Sequence, residues 1–332
     1  MLVEGEDVRS PAPIEENPMT STVPDTASAQ TVLVAGATGM LGGRIAARLL
    51  DEPTARVRLL LRPGTLAHPV KGPAVQELVR RGARPVEGEL SDGAALRTAV
   101  DGVDVVVSAL QGGREVVVDG QLALARAAAA SGARRILPSD FAVDLFRATP
   151  GEHASFDLRR EADEAIAATG LQHVHVLNGA FTDGFVSAHG GLLDHGARTA
   201  AYWGTGDELF DATSIDTTAH YTARAALDTT LGSGAFAVAG EQLSFHAVVD
   251  AAEKATEHTY ERRSLGSTDE LRAAIAAART AGATAEDVVM QVYLLYMLTG
   301  QTALTDLQNE RYPEVVPQTL ADLAQRALGD RS

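Results

Sequence analysis

Short apolar segments alternate regularly with amphipathic segments along the first half of the chain. The apolar segments are rich in valine, isoleucine and leucine, which is typical of β-strands, and the segments between them have helical spacing. Strands are predicted over 31–36, 56–61, 84–87, 103–108, 134–137 and 171–177, and helices over 40–51, 73–82, 92–99, 115–131 and 152–169. This alternation implies right-handed crossovers and therefore a parallel sheet with helices on both faces.

The alternation ends near residue 178. Loops are indicated by Gly190, Gly191, Gly204 and Gly206. Helices are predicted near 216–229, 243–256, 267–281 and 284–299, and short strands near 199–203, 235–239 and 258–262. The last of these helices is apolar over a broad face, so it is either buried or a dimer contact. The second half therefore predicts a smaller mixed lobe packed on the sheet.

The segment 32–45 combines the first strand, a glycine-rich turn and the start of the first helix. Gly36 permits a tight turn, Gly39 lets the backbone approach a phosphate, and Gly42 lets the helix pack close to the strand. The helix N-terminus then faces the anion. The spacing is G-x-x-G-x-x-G rather than G-x-G-x-x-G, and an ordinary turn is the alternative. The strand before it and the helix after it favour a dinucleotide site.

These patterns together predict an α/β protein with a doubly wound, Rossmann-type parallel sheet and a smaller mixed α/β C-terminal lobe. Residues 31–178 are expected to bind the dinucleotide, and 179–330 are expected to form a substrate-binding lobe packed on the sheet. Residues 1–30 are rich in proline and acidic residues and have no apolar core of a secretory signal. We expect this segment to be a disordered acidic tail.

Composition narrows the classes of function. The 332 residues include no cysteine, which excludes disulfides, a thiol nucleophile and thiolate metal ligands and fits a reducing cytoplasm. A net charge of −16 without any basic run disfavours nucleic acid and anionic membranes as partners. No apolar stretch is long enough for a membrane helix. We therefore expect a cytoplasmic monomer or homodimer that acts on a small molecule.

The end of the second predicted strand indicates which dinucleotide binds. An NAD site usually has an acidic residue there for the ribose 2′-hydroxyl. This chain has Arg62 instead, followed by Pro63, Gly64 and Thr65. An arginine suits a 2′-phosphate, with Thr65 as a second donor, whereas a solvated arginine is the alternative. The prediction is NADP(H), as NADPH or NADP+.

Several later segments resemble one known family. The segments 62–65, 105–110 and 137–141 (Leu-Pro-Ser-Asp-Phe) follow the glycine loop in the expected order, with Gln121 between them and 309–315 near the end. Over about residues 31–328, the chain resembles the isoflavone-reductase-like and NmrA-like branch of the atypical short-chain dehydrogenases. The resemblance implies NADPH-dependent reduction of small aromatic, conjugated or carbonyl compounds, although the family also includes NADP(H)-binding redox sensors.

The resemblance and the glycine loop together give a set of expected cofactor-binding residues. They are Gly36, Thr38, Gly39, Met40, Leu41, Gly42, Arg62, Thr65, Ser108, Ala109, Leu110, Gln121, Pro138, Ser139 and Phe141.

The expected catalytic position departs from the family pattern. The reductase branch has lysine at the end of a Ser/Ala-Phe-x-x-Lys segment, whereas this chain has Arg159, and no tyrosine is followed by lysine four residues on. Arginine holds negative charge but does not give up a proton near neutral pH. Arg159 therefore either polarises a carbonyl while another group supplies the proton, or replaces lysine where only charge is needed, or marks a loss of catalysis.

Other candidates for the chemistry have plain structural alternatives. Asp140 orients a ligand hydroxyl or ties down its own loop, and His153 is an acid or a surface histidine at a helix start. His173 and His175 share one strand face, but without an apparent third ligand we expect packing and no metal site. We expect Asn178, Gly179 and Phe181 to line the substrate pocket. An aromatic wall or simple core is expected from Phe181, Phe185, Tyr202 and Trp203.

Three functions remain open at this point. The first is an NADPH-dependent reductase in which Arg159 stabilises an oxyanion. The second is a non-catalytic NADP(H) sensor, and the third is an isomerase or cyclase that uses the same pocket.

Overall fold

A seven-stranded parallel sheet forms the centre of the structure, a computed structural model that describes residues 29–187 and 192–329. Its strands are β1 (Gln30–Ala35), β2 (Ala55–Leu61), β3 (Arg84–Glu87), β4 (Val105–Ser108), β5 (Arg135–Leu137), β6 (Gln172–Leu177) and, later in the chain, β11 (Gly234–Ala237). Their spatial order is β11-β6-β5-β4-β1-β2-β3. The order reverses between β1 and β4, and the loops after these two strands border the crevice where such sheets bind ligands.

The helices of the first half are α1 (Met40–Leu50), α2 (Gly72–Arg80), α3 (Gly93–Val100), α4 (Gln121–Ala130) and α5 (Ala154–Ala167). A π-helical turn over Glu115–Gly120 runs directly into α4. Val32 and Val34 pack on one face of the sheet, and Leu33 and Ala35 pack on the other, so β1 is buried on both sides. The doubly wound α/β sheet predicted from the alternating pattern is confirmed.

The second half adds two small three-stranded sheets and six helices within the described residues. Their strands are β7 (Ala180–Phe181), β8 (Leu193–Asp194), β9 (Thr199–Tyr202), β10 (Phe210–Thr213), β12 (Glu241–Leu243) and β13 (Glu261–Ser264). The helices are α6 (Thr182–Val186), α7 (Ile215–Leu227), α8 (Phe245–Thr256), α9 (Thr268–Thr280), α10 (Val289–Thr299) and α11 (Leu320–Leu328). None of the helices in the two described ranges has the length and hydrophobicity needed to cross a bilayer.

Two elements of the second half belong to the central layer rather than to the small lobe. The strand predicted near 235–239 is β11, and it pairs in parallel with β6 at the sheet edge. Helix α7 contributes Ala219, Tyr221 and Ala223 to the core under α1 and β1. The domain boundary at residue 178 stays a prediction. In the structure, strand β11 and helix α7 follow residue 178 in the sequence but belong to the central layer.

The structure also differs from the prediction in the start of one helix and in the number of strands. Helix α10 begins at Val289 rather than near 284, because Asp287 folds back to accept bonds of 2.8 Å from the Thr284 amide and hydroxyl. Strands β7, β8, β10 and β12 were not predicted. The tail up to residue 28 and the glycines at 190–191 lie outside the described residues.

Candidate functional site

The glycine loop after β1 is built from backbone packed against backbone. Gly36 has φ of +90°, and a Cβ there would lie 2.3 Å from the carbonyl oxygen of Ala109. A Cβ on Gly42 would lie 2.3 Å from the carbonyl oxygen of Gly36. Gly39 caps α1 without a side-chain hydrogen bond, so the first N–H groups of the helix are open to an anion. Thr38 and Met40 are exposed beside them, and Leu41 is partly exposed.

The loop after β2 leaves one cation available. Arg62 is exposed, and its guanidinium makes no hydrogen bond or ion pair within residues 29–187 and 192–329. The Thr65 hydroxyl instead donates to the Arg62 carbonyl at 2.6 Å, so it is already engaged. The amide of Gly64 donates to Glu87 at 3.0 Å. Arg62 is thus a cation without a partner in this part of the structure, and its contact with a 2′-phosphate stays a prediction.

The loops after β4 and β5 are tied to each other by side chains that were expected to bind cofactor. The Ser139 hydroxyl donates to the Leu110 carbonyl at 2.7 Å, and the Ser139 amide donates to Gln121 Oε1 at 3.0 Å. Gln121 Nε2 donates in turn to the Val117 carbonyl at 2.8 Å. The polar atoms of Gln121 are therefore occupied inside the protein, while the buried hydroxyl of Ser108 has no partner among the described residues.

Arg159 reaches this loop from α5. Its Nε donates to the Ser139 carbonyl at 2.8 Å, and its Nη1 donates to the Ser155 hydroxyl at 2.7 Å. The second terminal nitrogen, Nη2, makes no hydrogen bond to any residue that the structure describes. Burial lowers the pKa of Arg159 and the nearby Asp140 opposes this, but a guanidinium stays charged near neutral pH. The arrangement presents one fixed donor beside the loop.

His153 caps the N-terminus of α5. Its Nδ1 accepts the Phe156 amide at 3.2 Å, and its ring stacks on the Phe156 ring with centroids 3.8 Å apart. Only 3% of the residue is exposed, so the expectation of a surface histidine is wrong. Burial lowers the pKa of His153 to about 4, helped by the charge on Arg159. The ring is neutral at pH 7 and is a poor source of protons there.

Asp140 lies inside the protein and not in the crevice. It is fully buried, and its Oδ2 lies 2.8 Å from His175 Nδ1. Of its two proposed roles, this contact favours tying down the loop. His173 lies beside His175 on the same face, with its Nδ1 3.2 Å from the Leu171 carbonyl.

Asp163 joins this pair, and sequence reasoning missed it. Its Oδ1 lies 3.7 Å from His175 Nδ1, and ligand atoms of Asp140, Asp163 and His175 all fall within 4.8 Å of one another. The sequence indicates no third ligand for His173 and His175, whereas the structure places Asp140 and Asp163 beside His175. The available signal was the spacing on α5, since Asp163 is four residues after Arg159 on its buried side.

The residues expected at the substrate pocket follow β6. The amides of Asn178 and Gly179 both donate to the Ala142 carbonyl, at 2.9 and 3.1 Å, which holds them beside the loop after β5. Asn178 Oδ1 is buried and has no partner in the described part of the chain. Phe181 is partly buried.

The expected aromatic wall is mostly core. Rings of Phe185, Tyr202, Phe210 and Phe245 pack together with centroids 5.2 to 6.4 Å apart, and Trp203 packs against the same cluster. The core alternative therefore holds for these side chains.

Tyr293 of α10 packs against the start of α5 and interacts electrostatically with Arg159, and sequence reasoning gave it no catalytic role. Its ring centroid lies 5.9 Å from that of Phe156 and 6.0 Å from that of His153. Burial raises the pKa of Tyr293 to about 12, against the effects of the Val143 backbone and the positive charge of Arg159. A phenol next to a fixed cation is thus present at this position.

Comparison with known proteins gives matches over most of the chain. The sequence model of the NmrA-like family matches residues 28–309. Pinoresinol reductase 2 of Arabidopsis thaliana is 35% identical over 202 residues, which cover 58% of this chain and 63% of that protein. The match therefore spans less than two thirds of this relative.

Solved structures have the same architecture. AtPrR2 with NADP+ and (+)pinoresinol superposes with a TM-score of 0.77 and 25% identity, over 90% of this chain and 99% of that one. The binary complex of leucoanthocyanidin reductase and NADPH from Vitis vinifera gives 0.75 and 22%, with the same coverage. The second similarity, at its lower identity, supports the fold alone.

Proposed function

Because this chain belongs to the NmrA-like family, we propose that it is an NADPH-dependent reductase of a small aromatic, conjugated or carbonyl compound. The observation that carries the proposal is the Arg159 side chain, which three hydrogen bonds hold beside the loop after β5, while its Nη2 has no partner among the described residues. The solved relative with NADP+ and (+)pinoresinol supports both the cofactor and the class of substrate.

The residues present fit the cofactor. The space beside Gly36 and Gly42 is too narrow for any side chain, and the uncapped start of α1 offers amides to a pyrophosphate. Arg62 is free for the 2′-phosphate. When bound, NADPH supplies a hydride. The loops tied together by Ser139 and Gln121 would form the wall beside the nicotinamide.

Arg159 would stabilise the negative charge that develops on the substrate oxygen. Its Nη2 is a charged donor on a side chain that is already ordered, so little entropy is lost when it binds an oxyanion. The guanidinium does not supply the proton. Its charge, rather than acidity, is the contribution we assign to it.

We assign the proton to Tyr293. Burial raises the pKa of Tyr293 to about 12, so the phenol holds its proton at neutral pH and can give it to the far more basic alkoxide that forms when the substrate is a ketone. The charge on Arg159 and the Val143 backbone offset part of the cost of burying the phenolate until water reprotonates it. His153, neutral at pH 7 and used as a helix cap, is not assigned this role.

The test measures NADPH consumption against a panel of enones, quinones and aromatic ketones. Arg159→Ala should lower kcat by about a hundredfold or more, with little change in the Kd of NADPH, because one oxyanion donor is lost. Arg160→Ala is the matched control, since Arg160 bonds to the Ala148 carbonyl and Asp157 instead. Equal rates for wild type and Arg159→Ala would contradict the assigned role.

Two other functions are distinguished by the same assay. A redox sensor would bind NADPH but consume none with any substrate, and its affinity for a protein partner would differ between NADP+ and NADPH. An isomerase or cyclase would leave the mass of its substrate unchanged.

A further inference from the structure

Asp140 and Asp163 bring two carboxyl groups together in the protein interior. Asp140 is fully buried and Asp163 is 6% exposed. Three of their four oxygens, Asp140 Oδ1 and both oxygens of Asp163, are buried without a hydrogen-bond partner that satisfies ordinary geometry among the described residues. The fourth, Asp140 Oδ2, lies 2.8 Å from His175 Nδ1. Buried oxygens without a hydrogen bond lower the free energy of unfolding, unless a proton, which heavy-atom positions do not show, lies between two of them.

Unless His175 carries a proton, the groups around the pair do not provide enough positive charge for two carboxylates. Arg159 is the cation that faces both, from one turn earlier on α5. The other neighbours are His173 and His175 on β6, Glu164 on α5 and Tyr293 on α10. Two ionised carboxylates beside a single cation would leave a net negative charge in a dry site.

A single shared proton removes this difficulty. A protonated carboxyl donates a hydrogen bond to an ionised neighbour. Two carboxyl groups whose oxygens lie within 4.8 Å, as here, therefore tend to share one proton. One carboxylate, one carboxylic acid and Arg159 then sum to zero charge. Asp140 lies next to Ser139, whose carbonyl holds Arg159 Nε at 2.8 Å, so the pair and the guanidinium are fixed by one loop.

We propose that Asp163 is a positioning residue which carries a proton shared with Asp140, and that this carboxyl pair holds the loop after β5 on α5 and thereby orients Arg159. Asp163 does not touch the substrate. Only the effect on turnover rests on the proposed reductase function. The shared proton itself is a property of the folded chain.

The electrostatics of the site support the proposal. Burial, and next the negative charge of Asp140, raise the pKa of Asp163 to about 9, with Arg159 opposing the shift. Asp163 thus holds its proton in the folded chain at neutral pH, whereas an unfolded aspartate releases it above its ordinary value of 3.8. The folded state is therefore stabilised by this group at low pH, and the stabilisation is lost as the pH rises from about 4 to 9.

The experiment compares Asp163→Asn with Asp163→Leu, and uses Glu164→Gln as the control. An asparagine still donates to Asp140, so Asp163→Asn should keep kcat within about threefold of wild type, whereas Asp163→Leu should lose about tenfold or more because Asp140 is left without its donor. Glu164 is exposed on the same helix, and its variant should behave as wild type.

Two measurements do not depend on turnover. The melting temperature of wild type should fall relative to Asp163→Asn as the pH is raised from 6 to 9. Infrared spectra of wild type at pH 7 should contain the C=O stretch of a protonated carboxylic acid, and Asp163→Asn should lack it. If neither signature is found, the proposal is wrong, whatever the activity.

Two further outcomes would overturn the proposal. In the first, Asp163→Asn lowers kcat as much as Asp163→Leu does, and its melting temperature differs from that of wild type by the same amount at every pH. Asp163 would then be an ionised counter-ion. A melting temperature raised by Mn²⁺ or Zn²⁺ and restored by a chelator, in wild type but not in Asp163→Asn, would mean that a metal fills the site. If no compound is reduced but both spectroscopic and thermal signatures appear, the reductase proposal fails while the shared proton stands.

Discussion

Replacing His153 by asparagine should remove a large part of the acid sensitivity of the fold. His153 is 3% exposed and caps α5 through an Nδ1 that accepts the Phe156 amide. Protonation of the ring would abolish that acceptor and place a charge beside Arg159 in the interior. Asparagine is a good helix cap and does not titrate. His153→Asn therefore keeps the helix cap and removes this residue's contribution to the pH dependence of the unfolding free energy.

The size of the effect follows from the shift in pKa. Burial lowers the pKa of His153 from 6.5 to about 4, so the unfolded chain binds a proton that the folded chain refuses between these values. At 1.36 kcal/mol per pKa unit, the wild type should lose about 2 kcal/mol by pH 5 and about 3 kcal/mol by pH 4. The loss is absent above pH 7, since both states are then neutral.

The assay is urea unfolding of both proteins at several pH values from 7.5 to 4.5. The lost stacking on Phe156 shifts the variant by a constant, so the measured quantity is the change with pH of the difference in unfolding free energy. The same substitution at the exposed His258 is the control. Parallel curves for wild type and His153→Asn down to pH 4.5 would refute the reasoning.

Three further predictions concern the cofactor crevice. Arg62→Ala should weaken NADPH binding by about tenfold or more and leave NADH binding unchanged, as measured by fluorescence titration, because a charge-assisted phosphate contact is lost. Gly36→Ala should abolish NADPH binding and destabilise the fold, because the added Cβ would lie 2.3 Å from a backbone oxygen; Gly102→Ala, at φ of +65° in open space, is the control for backbone strain alone. Gln121→Leu should cost about 1–3 kcal/mol in thermal unfolding by leaving the buried Ser139 amide unpaired. An unchanged melting temperature for Gln121→Leu would show that this tie between the loops is dispensable.

The first half of the fold was predictable because its signals are local. The strands β1 and β4 and the glycine turn depend on neighbouring residues in the chain, and the apolar alternation sets which faces are buried. The membership of β11 in the central sheet was not predictable in the same way. Its pairing with β6 joins residues about sixty positions apart, and no local pattern specifies that partner.

The candidate site likewise contains residues that local signals identify and residues that only tertiary packing brings together. Gly36, Gly42 and Arg62 lie at positions that follow from the order of strand, turn and helix. The contact between Asp163 and Asp140 requires α5 to fold back over the end of β5, so it depends on tertiary packing. Gln121 shows a third situation: the resemblance places it among the cofactor-binding residues, whereas in the structure both polar atoms of its amide are engaged, with Val117 and Ser139.

The late arrival of β11 has a consequence for how this chain is made. During synthesis, β1 to β6 leave the ribosome before Gly234–Ala237 has been made. Strand β6, which includes Val174 and Val176, is therefore an unpaired sheet edge during that time. Unpaired apolar edges of this kind recruit other chains. A fragment ending near residue 178 should for the same reason aggregate when expressed alone, even though it contains all the glycines and Arg62. Residues 31–178 should thus be an incomplete folding unit, which becomes complete only when the second half has been translated.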